Sequence, residues 1–407
     1  MKCRHCGAVL QHVFLDLGFA PPSNAYRLVA DLSRPELYYP LRLKVCEQCW
    51  LVQTDDFASA DQLFDSDYAY FSSTSTSWLD HARNYVEEII PALCLDQDSF
   101  VVEVASNDGY LLKNFVGHGI PCLGVEPTAS TADYAESIGV PVAREFFGEK
   151  FAVEMVEKNG KADLIIGNNV YAHVPDINDF TRGLSVALKS TGTITLEFPH
   201  LQNLIEKVQF DTVYHEHFSY LSLHSVSAIF EAAGLRIWNV ERMPTHGGSL
   251  RVYGCHKDDP RQNRDSVHAV LQAEKEFGLL DIAVYQGFQQ RVETVKDRFV
   301  AFLIDAKQQG KSVLAYGAAA KGCTLLNFSG VKKDLLPMVA DAAPSKQGKF
   351  IPGCHIPIVS PQALVDLAPD YLIIFPWNIA AEIIAQNQFL AERGTRFVTF
   401  IPEMDIR

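Results

Sequence analysis

The chain lacks any apolar run near the roughly 18 residues that a membrane-spanning helix needs; its longest, such as residues 371–377, are far shorter. No apolar stretch of the signal-peptide kind follows the opening Met1-Lys2-Cys3-Arg4-His5-Cys6, so a cytoplasmic location with no membrane partner is expected. Positive charge is also short. Lys and Arg number 35 against 49 Asp and Glu, a net charge of −14. A protein that coats nucleic acid carries a basic footprint, so that class is excluded. A nucleotide ligand is not, because one local pocket can be positive on an acidic surface. A G-x-G-x-x-G fingerprint is missing, as is a Tyr-x-x-x-Lys pair on a helix. Both absences argue against a nicotinamide-dependent oxidoreductase or epimerase of nucleotide sugars. No repeat at solenoid periods is visible. What remains is a globular composition, 48% hydrophobic and 21% charged, in 407 residues. That length suits two to three domains at roughly 150 residues each, with core enough to need no disulfides.

Nine cysteines in a reducing compartment are not a disulfide framework. Four of them form two knuckles, Cys3-x-x-Cys6 and Cys46-x-x-Cys49, separated by 39 residues. A tetrahedral zinc ion needs four soft ligands, and two such turns present them in pairs. The set leaves no open position, so the zinc is expected to be structural. A redox pair would sit in a thioredoxin-like context, which is absent here. His5, inside the first knuckle, is a competing ligand that a four-thiolate set does not require. Residues 38–45 alternate and predict a strand running into the second knuckle. Cys94, Cys122, Cys255, Cys323 and Cys354 are scattered and read as buried, inert thiols.

The middle of the chain reads as α/β. Residues 100–104 (FVVEV) suit a buried parallel strand, which ends in the turn Ala105-Ser106-Asn107-Asp108-Gly109 ahead of a helix start. A strand, a small-residue turn and a helix make a nucleotide site at the strand's carboxyl edge. A second strand at 122–125 leads to Glu126 and Pro127, about 20 residues on, where an acidic residue can accept from both ribose hydroxyls. A third strand, 163–167, runs into Asn168 and Asn169, and a fourth is expected at 192–197. With no glycine set to admit a pyrophosphate, this is not obviously a dinucleotide domain.

Further on, residues 211–220 read DTVYHEHFSY. Histidine supplies a base near neutral pH, and a neighbouring carboxylate can orient it or bind a substrate hydroxyl. If the segment is extended, Tyr214, Glu216 and Tyr220 face one way and His215 and His217 the other. The His-x-His spacing also admits a metal, but no third ligand is evident nearby. His173, just past the third strand, falls at the same ligand edge. Upstream, the hydroxyl-rich residues 65–77 read as a linker that can close over the site and bring Tyr68 or Tyr70 to it. Residues 261–299 read as a helical connector. In the last third, a strand at 313–316 and a turn at 317–320 lead to Lys321 and the next helix. This is a second anion-type site in a second Rossmann-like domain, where Lys321 can reach a phosphate; a scaffold without ligand is the alternative.

Taken in order, the four-cysteine head, E-x-A-x-N-D-G at 103–109, Tyr214-x-Glu216-His217, THGGSLR at 245–251 and YGAAAKG at 316–322 resemble one family across nearly the whole chain. It is the S-adenosylmethionine-dependent C-methyltransferases of nucleotide-linked 4-keto deoxysugars, which serve branched-chain sugar pathways of antibiotics and of the O-antigen of lipopolysaccharide. The resemblance implies a zinc-binding domain at 1–65, a methyltransferase domain at 66–255 and a C-terminal Rossmann-like domain at 256–407. It implies that Glu103, Ala105, Asn107, Asp108, Gly109, Glu126, Pro127, Asn168 and Asn169 hold the cofactor, with Gly109 admitting its amino-acid end. It implies that His217 takes the proton from sugar C3, that Tyr214 and Glu216 position the sugar, and that Tyr68 (a better alignment than Tyr70) and His173 line the site. Asn24 and Tyr26, in Ser23-Asn24-Ala25-Tyr26, would face the substrate, as would Tyr316 and Lys321. Zinc at Cys3, Cys6, Cys46 and Cys49 would lie away from the reaction. The nucleotide is expected to be dTDP, with GDP or CDP possible, and the protein a monomer. A zinc-ribbon adaptor without activity is the remaining alternative.

Overall fold

Short β-branched runs bounded by turn residues become strands, and the computed structural model, which describes residues 1–55 and 71–407, sorts them into three sheets. Strands β1 (His12–Ala20), β2 (Tyr39–Val45) and β3 (Val52–Thr54) pair antiparallel in the head. Next come β4 (Val101–Val104), β5 (Cys122–Val125), β6 (Val142–Ala143), β7 (Ala162–Asn168) and β8 (Leu188–Pro199), which pair parallel with one another. Then β9 (Ser219–Tyr220) leaves that run and pairs with β3, Val52 opposite Tyr220 and Gln53 opposite Ser219. The long antiparallel strands β10 (Leu235–Met243) and β11 (Ser249–His256) complete the central sheet, whose order is β10-β11-β8-β7-β4-β5-β6. The last third holds β12 (Val313–Tyr316), β13 (Val339–Ala340), β14 (Ile358–Val359), β15 (Tyr371–Ile374), β16 (Arg396–Thr399) and β17 (Asp405–Ile406), in the order β14-β13-β12-β15-β16-β17. Only β17 runs antiparallel to its neighbour in that sheet, among the described residues.

Two parallel sheets with helices on both faces explain the near-continuous apolar strands. In β4, Val102 and Val104 enter one core and Val101 the other. In β12, Ala315 packs with the helix Phe288–Gln308 and the head, while Leu314 and Tyr316 pack on the opposite face. The head is fastened by its apolar face. Phe14 stacks on Phe288 at 4.7 Å between centroids and meets Tyr285 edge-on at 5.4 Å. The expected connector at 261–299 is three helices, Asp265–Phe277, Ile282–Gln286 and Phe288–Gln308. The first of these packs against the central sheet through Val267 and Val270.

The order in which parallel strands are added reverses between two central strands of each sheet: β4 and β7 in one, β12 and β15 in the other. Loops leave the carboxyl ends of such a pair in opposite directions and open a crevice, which is where α/β proteins bind ligands. Residues beyond the two strand pairs meet: Asn169, after β7, lies 3.1 Å from His246, which feels the charge of Lys321, after β12.

Candidate active site

The four knuckle sulfurs lie within 4.8 Å of one another, with Cys3 Sγ 3.6 Å from Cys49 Sγ and Cys6 Sγ 3.5 Å from Cys46 Sγ. A tetrahedron of thiolates at about 2.3 Å from zinc has edges of about 3.8 Å, so the donor set fits that ion. His5 turns away, its Nδ1 2.8 Å from Asn178 Oδ1. Gln53 donates from Nε2 to Cys3 Sγ at 3.3 Å and ties the knuckle to β3. Of the other cysteines, Cys122, Cys255, Cys323 and Cys354 are buried, but Cys94 is exposed. It caps the helix Thr76–Leu93 in a left-handed conformation, where its side chain leaves the core.

At the end of β4 the backbone turns through positive φ at Ala105 (56°), Asn107 (50°) and Gly109 (75°). Gly124 on β5 makes room for this turn, since a Cβ there would meet Ser106 Oγ at 2.4 Å. Glu126 pins it: one carboxylate oxygen accepts from Asn107 N and the other from Thr128 N, both at 2.9 Å. Each oxygen keeps a second lone pair for a ribose hydroxyl. Ser72 and Ser73 donate their amides to Asn107 Oδ1 and Asp108 Oδ2, each at 2.9 Å. At Gly109 a Cβ would also meet Ala135 and Val140 at 3.1 Å, so the residue is confined to glycine by packing as well as by its positive φ. Glu103 is wholly enclosed, and burial, with the Asp108 and Glu126 charges nearby, drives its pKa well above the usual carboxylate range. Asp108 Oδ1 is buried without a hydrogen-bond partner. With Glu103 held neutral, the Asp108 and Glu126 carboxylates at this loop suit a cation. S-adenosylmethionine carries two positive centres, a sulfonium and an ammonium, and the residues fit it. Pro127, half-buried, carries the chain from Glu126 toward the next helix.

Across the crevice, β7 ends at Asn168, which lies opposite Glu197 in the ladder. Asn169 turns to φ 53° and its Nδ2 lies 3.1 Å from His246 Nε2. His246, missed as a site residue by reading the sequence, is the histidine of the THGGSLR stretch between β10 and β11. It stands at φ 52°, and burial lowers its pKa to about 4. Gly247 follows at φ 87°, and a Cβ there would meet Trp377 Cη2 at 2.3 Å and Gln209 Nε2 at 2.6 Å. Gly247→Ala is therefore expected to destabilise the protein by roughly 1–3 kcal/mol, through the backbone and the clash together. Denaturant unfolding beside wild type checks this, with a surface Gly→Ala change such as Gly310 for comparison.

The DTVYHEHFSY segment is not extended, and the side-chain parity expected of it fails. His217 N donates to Tyr214 O at 3.0 Å, closing a turn. The turn sets the His217 ring on Tyr214 (centroids 4.0 Å), with His173 at 4.5 Å and Tyr220 at 5.8 Å. His215 goes elsewhere, to Tyr39 and its carbonyl, so the pair does not form a metal site. Among the described residues, the only histidine, cysteine and carboxylate cluster with metal-binding geometry is the four-cysteine one. His217 Nδ1 lies 3.0 Å from the Thr212 carbonyl, which can only accept, so Nδ1 carries the proton and Nε2 holds the lone pair. Burial, seconded by His173, depresses the His217 pKa well below its ordinary value. His173 is lowered to about 4, chiefly by burial.

The head reaches into this cluster. Asn24 Nδ2 donates to both carboxylate oxygens of Glu216, at 2.9 and 2.7 Å, and Tyr26 donates to the Ala318 carbonyl at 2.6 Å. The C-terminal sheet reaches in from the other side. Lys321 donates to Asn378 Oδ1 at 2.5 Å, and Trp377 Nε1 donates to Asp211 Oδ2 at 2.7 Å. Lys321 thus lies beside the histidine cluster, its charge felt by His217 and His246. Asp211, Trp377 and Asn378 were not legible in the sequence; no spacing signal joins them. Tyr316 is not brought in. Its strand position turns it to the far face, into the core with Leu314 and Leu372. Tyr68 and Tyr70 lie outside the described residues.

Family models cover the chain in three blocks. Residues 3–64 match a zinc binding domain, 78–240 a methyltransferase domain and 244–402 a C-methyltransferase C-terminal domain. The C-methyltransferase NovU of Streptomyces niveus is 33% identical over 402 residues, 99% of this chain and 96% of that protein. Among solved structures, an S-adenosylmethionine-dependent methyltransferase from Clostridium acetobutylicum matches 44% of this chain and 92% of its own, at 12% identity and TM-score 0.35. A methyltransferase from Thermotoga maritima matches 46% and 96%, at 17% identity and TM-score 0.35. Scores this low carry no argument. The relative that spans the chain, and the three models in their order, do: the protein belongs to the C-methyltransferase family, as an S-adenosylmethionine-dependent enzyme with a four-cysteine zinc-binding domain at its head.

Proposed function

We propose that the enzyme methylates C3 of a nucleotide-linked 4-keto-6-deoxy sugar, through an enolate formed by a base, in the making of a branched-chain deoxysugar for an O-antigen or an antibiotic. The observation that carries the reading is the state of His217: neutral, with Nδ1 committed to Thr212 and a lone pair left on Nε2. A sugar C–H is not acidic enough for an imidazole until a neighbouring ketone delocalises the charge. A 4-keto group does this for C3, and His217 can then take the proton. Glu216, held by Asn24, and Tyr214, under the His217 ring, orient the sugar; His173 lines the same wall. The loop 105–109, Glu103, Glu126, Asn168 and Asn169 hold the cofactor, which supplies an electrophilic methyl group when bound. Zinc takes no part in the chemistry.

A nicotinamide-dependent oxidoreductase is disfavoured by the loop 105–109, which lacks the set of glycines that admits a pyrophosphate. The test is a panel of dTDP-, GDP- and CDP-linked 4-keto deoxysugars incubated with enzyme and methyl-labelled donor, read by mass spectrometry and NMR. Label on C3 of a dTDP-linked sugar is expected. Label on oxygen or nitrogen, or none on any 4-keto sugar, overturns the proposal.

A further inference from the structure

Lys321 sits where the two crevices meet, on the first turn of the helix Ala320–Ser329 that follows β12. Its ammonium donates to Asn378 Oδ1 at 2.5 Å and lies 4.4 Å from the Trp377 ring centroid. Trp377 and Asn378 follow β15, the other strand of the switch point. An ammonium has three N–H donors. Among the described residues, two of the three on Lys321 find no acceptor, and no carboxylate lies within ion-pair distance of it. Asp211 lies near enough to feel the charge, but its Oδ2 is taken by Trp377 Nε1 and its Oδ1 is buried without a partner. A cation enclosed in this way, with donors that no described residue takes up, is placed to receive an anion. The histidines narrow down which one. The Lys321 charge acts on His217 and His246, depressing both. It therefore sits beside the proposed base, where it weakens a proton acceptor unless it also stabilises the carbanion that proton removal leaves behind.

We infer that Lys321 receives the oxyanion formed when His217 deprotonates the sugar, with Asp211, Trp377 and Asn378 as positioning residues. The inference rests on the reading of the substrate proposed above. In the step, the C3–H bonding pair becomes the C3–C4 π bond and the C4–O π pair moves onto oxygen. The proton goes to His217 Nε2, and the C4 oxygen accepts hydrogen bonds from the two spare N–H groups of Lys321. When the C3–C4 π pair forms the bond from C3 to the donor's methyl carbon, the methyl–sulfur pair stays on sulfur, which leaves as a neutral thioether; a pair on oxygen restores the ketone and Lys321 remains protonated. A cation aimed at charge that develops only as the reaction proceeds accelerates it without tightening substrate binding.

The experiment is exchange of the C3 proton with deuterated solvent, followed by NMR, with S-adenosylhomocysteine in place of the methyl donor. Wild type should exchange the proton. Lys321→Met should slow exchange at saturating sugar by about 100-fold or more, with the sugar dissociation constant changed less than about threefold. A normal exchange rate with a large loss of affinity would make Lys321 a phosphate ligand and overturn the inference. The second arm is the pH dependence. Exchange needs Lys321 charged, so it should fall as pH rises through the Lys321 pKa, held down to about 8 by burial and up by Asp211. The charged and titratable groups that face Lys321 are Asp211, His217 and His246. Asp211→Asn removes the stabilising charge, so this limb should move to lower pH; a limb that stays put overturns the inference. No exchange by wild type on any 4-keto sugar would sink the proposed substrate, and the inference with it.

Discussion

His217→Ala should lower turnover by about 10³-fold while leaving S-adenosylhomocysteine affinity within about twofold. Positioned general bases contribute roughly 10²–10⁴, and the upper part of that range applies because the substitution also removes the ring against which Tyr214 packs. The loop 105–109, proposed to hold the cofactor, follows β4, and none of its hydrogen bonds given above involves His217, so calorimetry with the cofactor product separates lost chemistry from lost fold. Retention of more than about a tenth of the wild-type rate would move the base elsewhere, with His173, 4.5 Å from His217 by ring centroid, the next to test. The same assignment fixes the sign of the acid limb. The working form is neutral imidazole, and burial lowers its pKa first, with the His173, His246 and Lys321 charges adding to it. Activity should therefore hold as pH falls through the ordinary histidine range near 6.5 and fail only below it. A kcat/KM profile with its acid limb at or above 6.5 would contradict a buried base.

Removal of zinc should destabilise the protein and, through it, the site. Structural zinc binding in small domains is worth about 10–16 kcal/mol, but the head does not depend on metal alone, since Phe14, Leu15 and Leu43 pack in one core with Phe288 and Phe299. The loss should be local and partial. A drop in Tm of roughly 4 °C would correspond to about 3 kcal/mol in a chain of this size. The route to the site is short. Cys3 accepts a hydrogen bond from Gln53, Gln53 pairs with Ser219 in the β3–β9 ladder, and Ser219 is two residues from His217. Chelation or Cys46→Ser should thus lower turnover along with Tm while cofactor affinity holds. Stoichiometric loss of zinc with both Tm and rate unchanged would show that the head folds without it.

Local features were readable from the residues alone. Each Cys-x-x-Cys turn specifies its own pair of ligands, while the folded head brings the two pairs together, Cys3 beside Cys49 and Cys6 beside Cys46. The strand 313–316 and the acid at 126 could be placed because a β-branched run and its turn signal lie side by side in the chain. The histidine segment misled in one respect: alternation holds for a strand, and the Tyr214–His217 turn breaks it, so His215 and His217 part company. Tyr316 misled in another, since a strand sends alternate residues to opposite faces and it faces the far core.

By itself, then, the order of residues determined the zinc ligands, the two Rossmann-like sheets and the family chemistry, because each depends on neighbours close in the chain or on motifs in a set order. Only the tertiary structure decided that the second sheet's switch point is turned onto the first. That places Lys321, Trp377 and Asn378 beside His217 and His246 and binds Asn24 to Glu216 across 192 positions. Contacts of that kind come from the packing of whole layers against one another, and no spacing within any one motif records them.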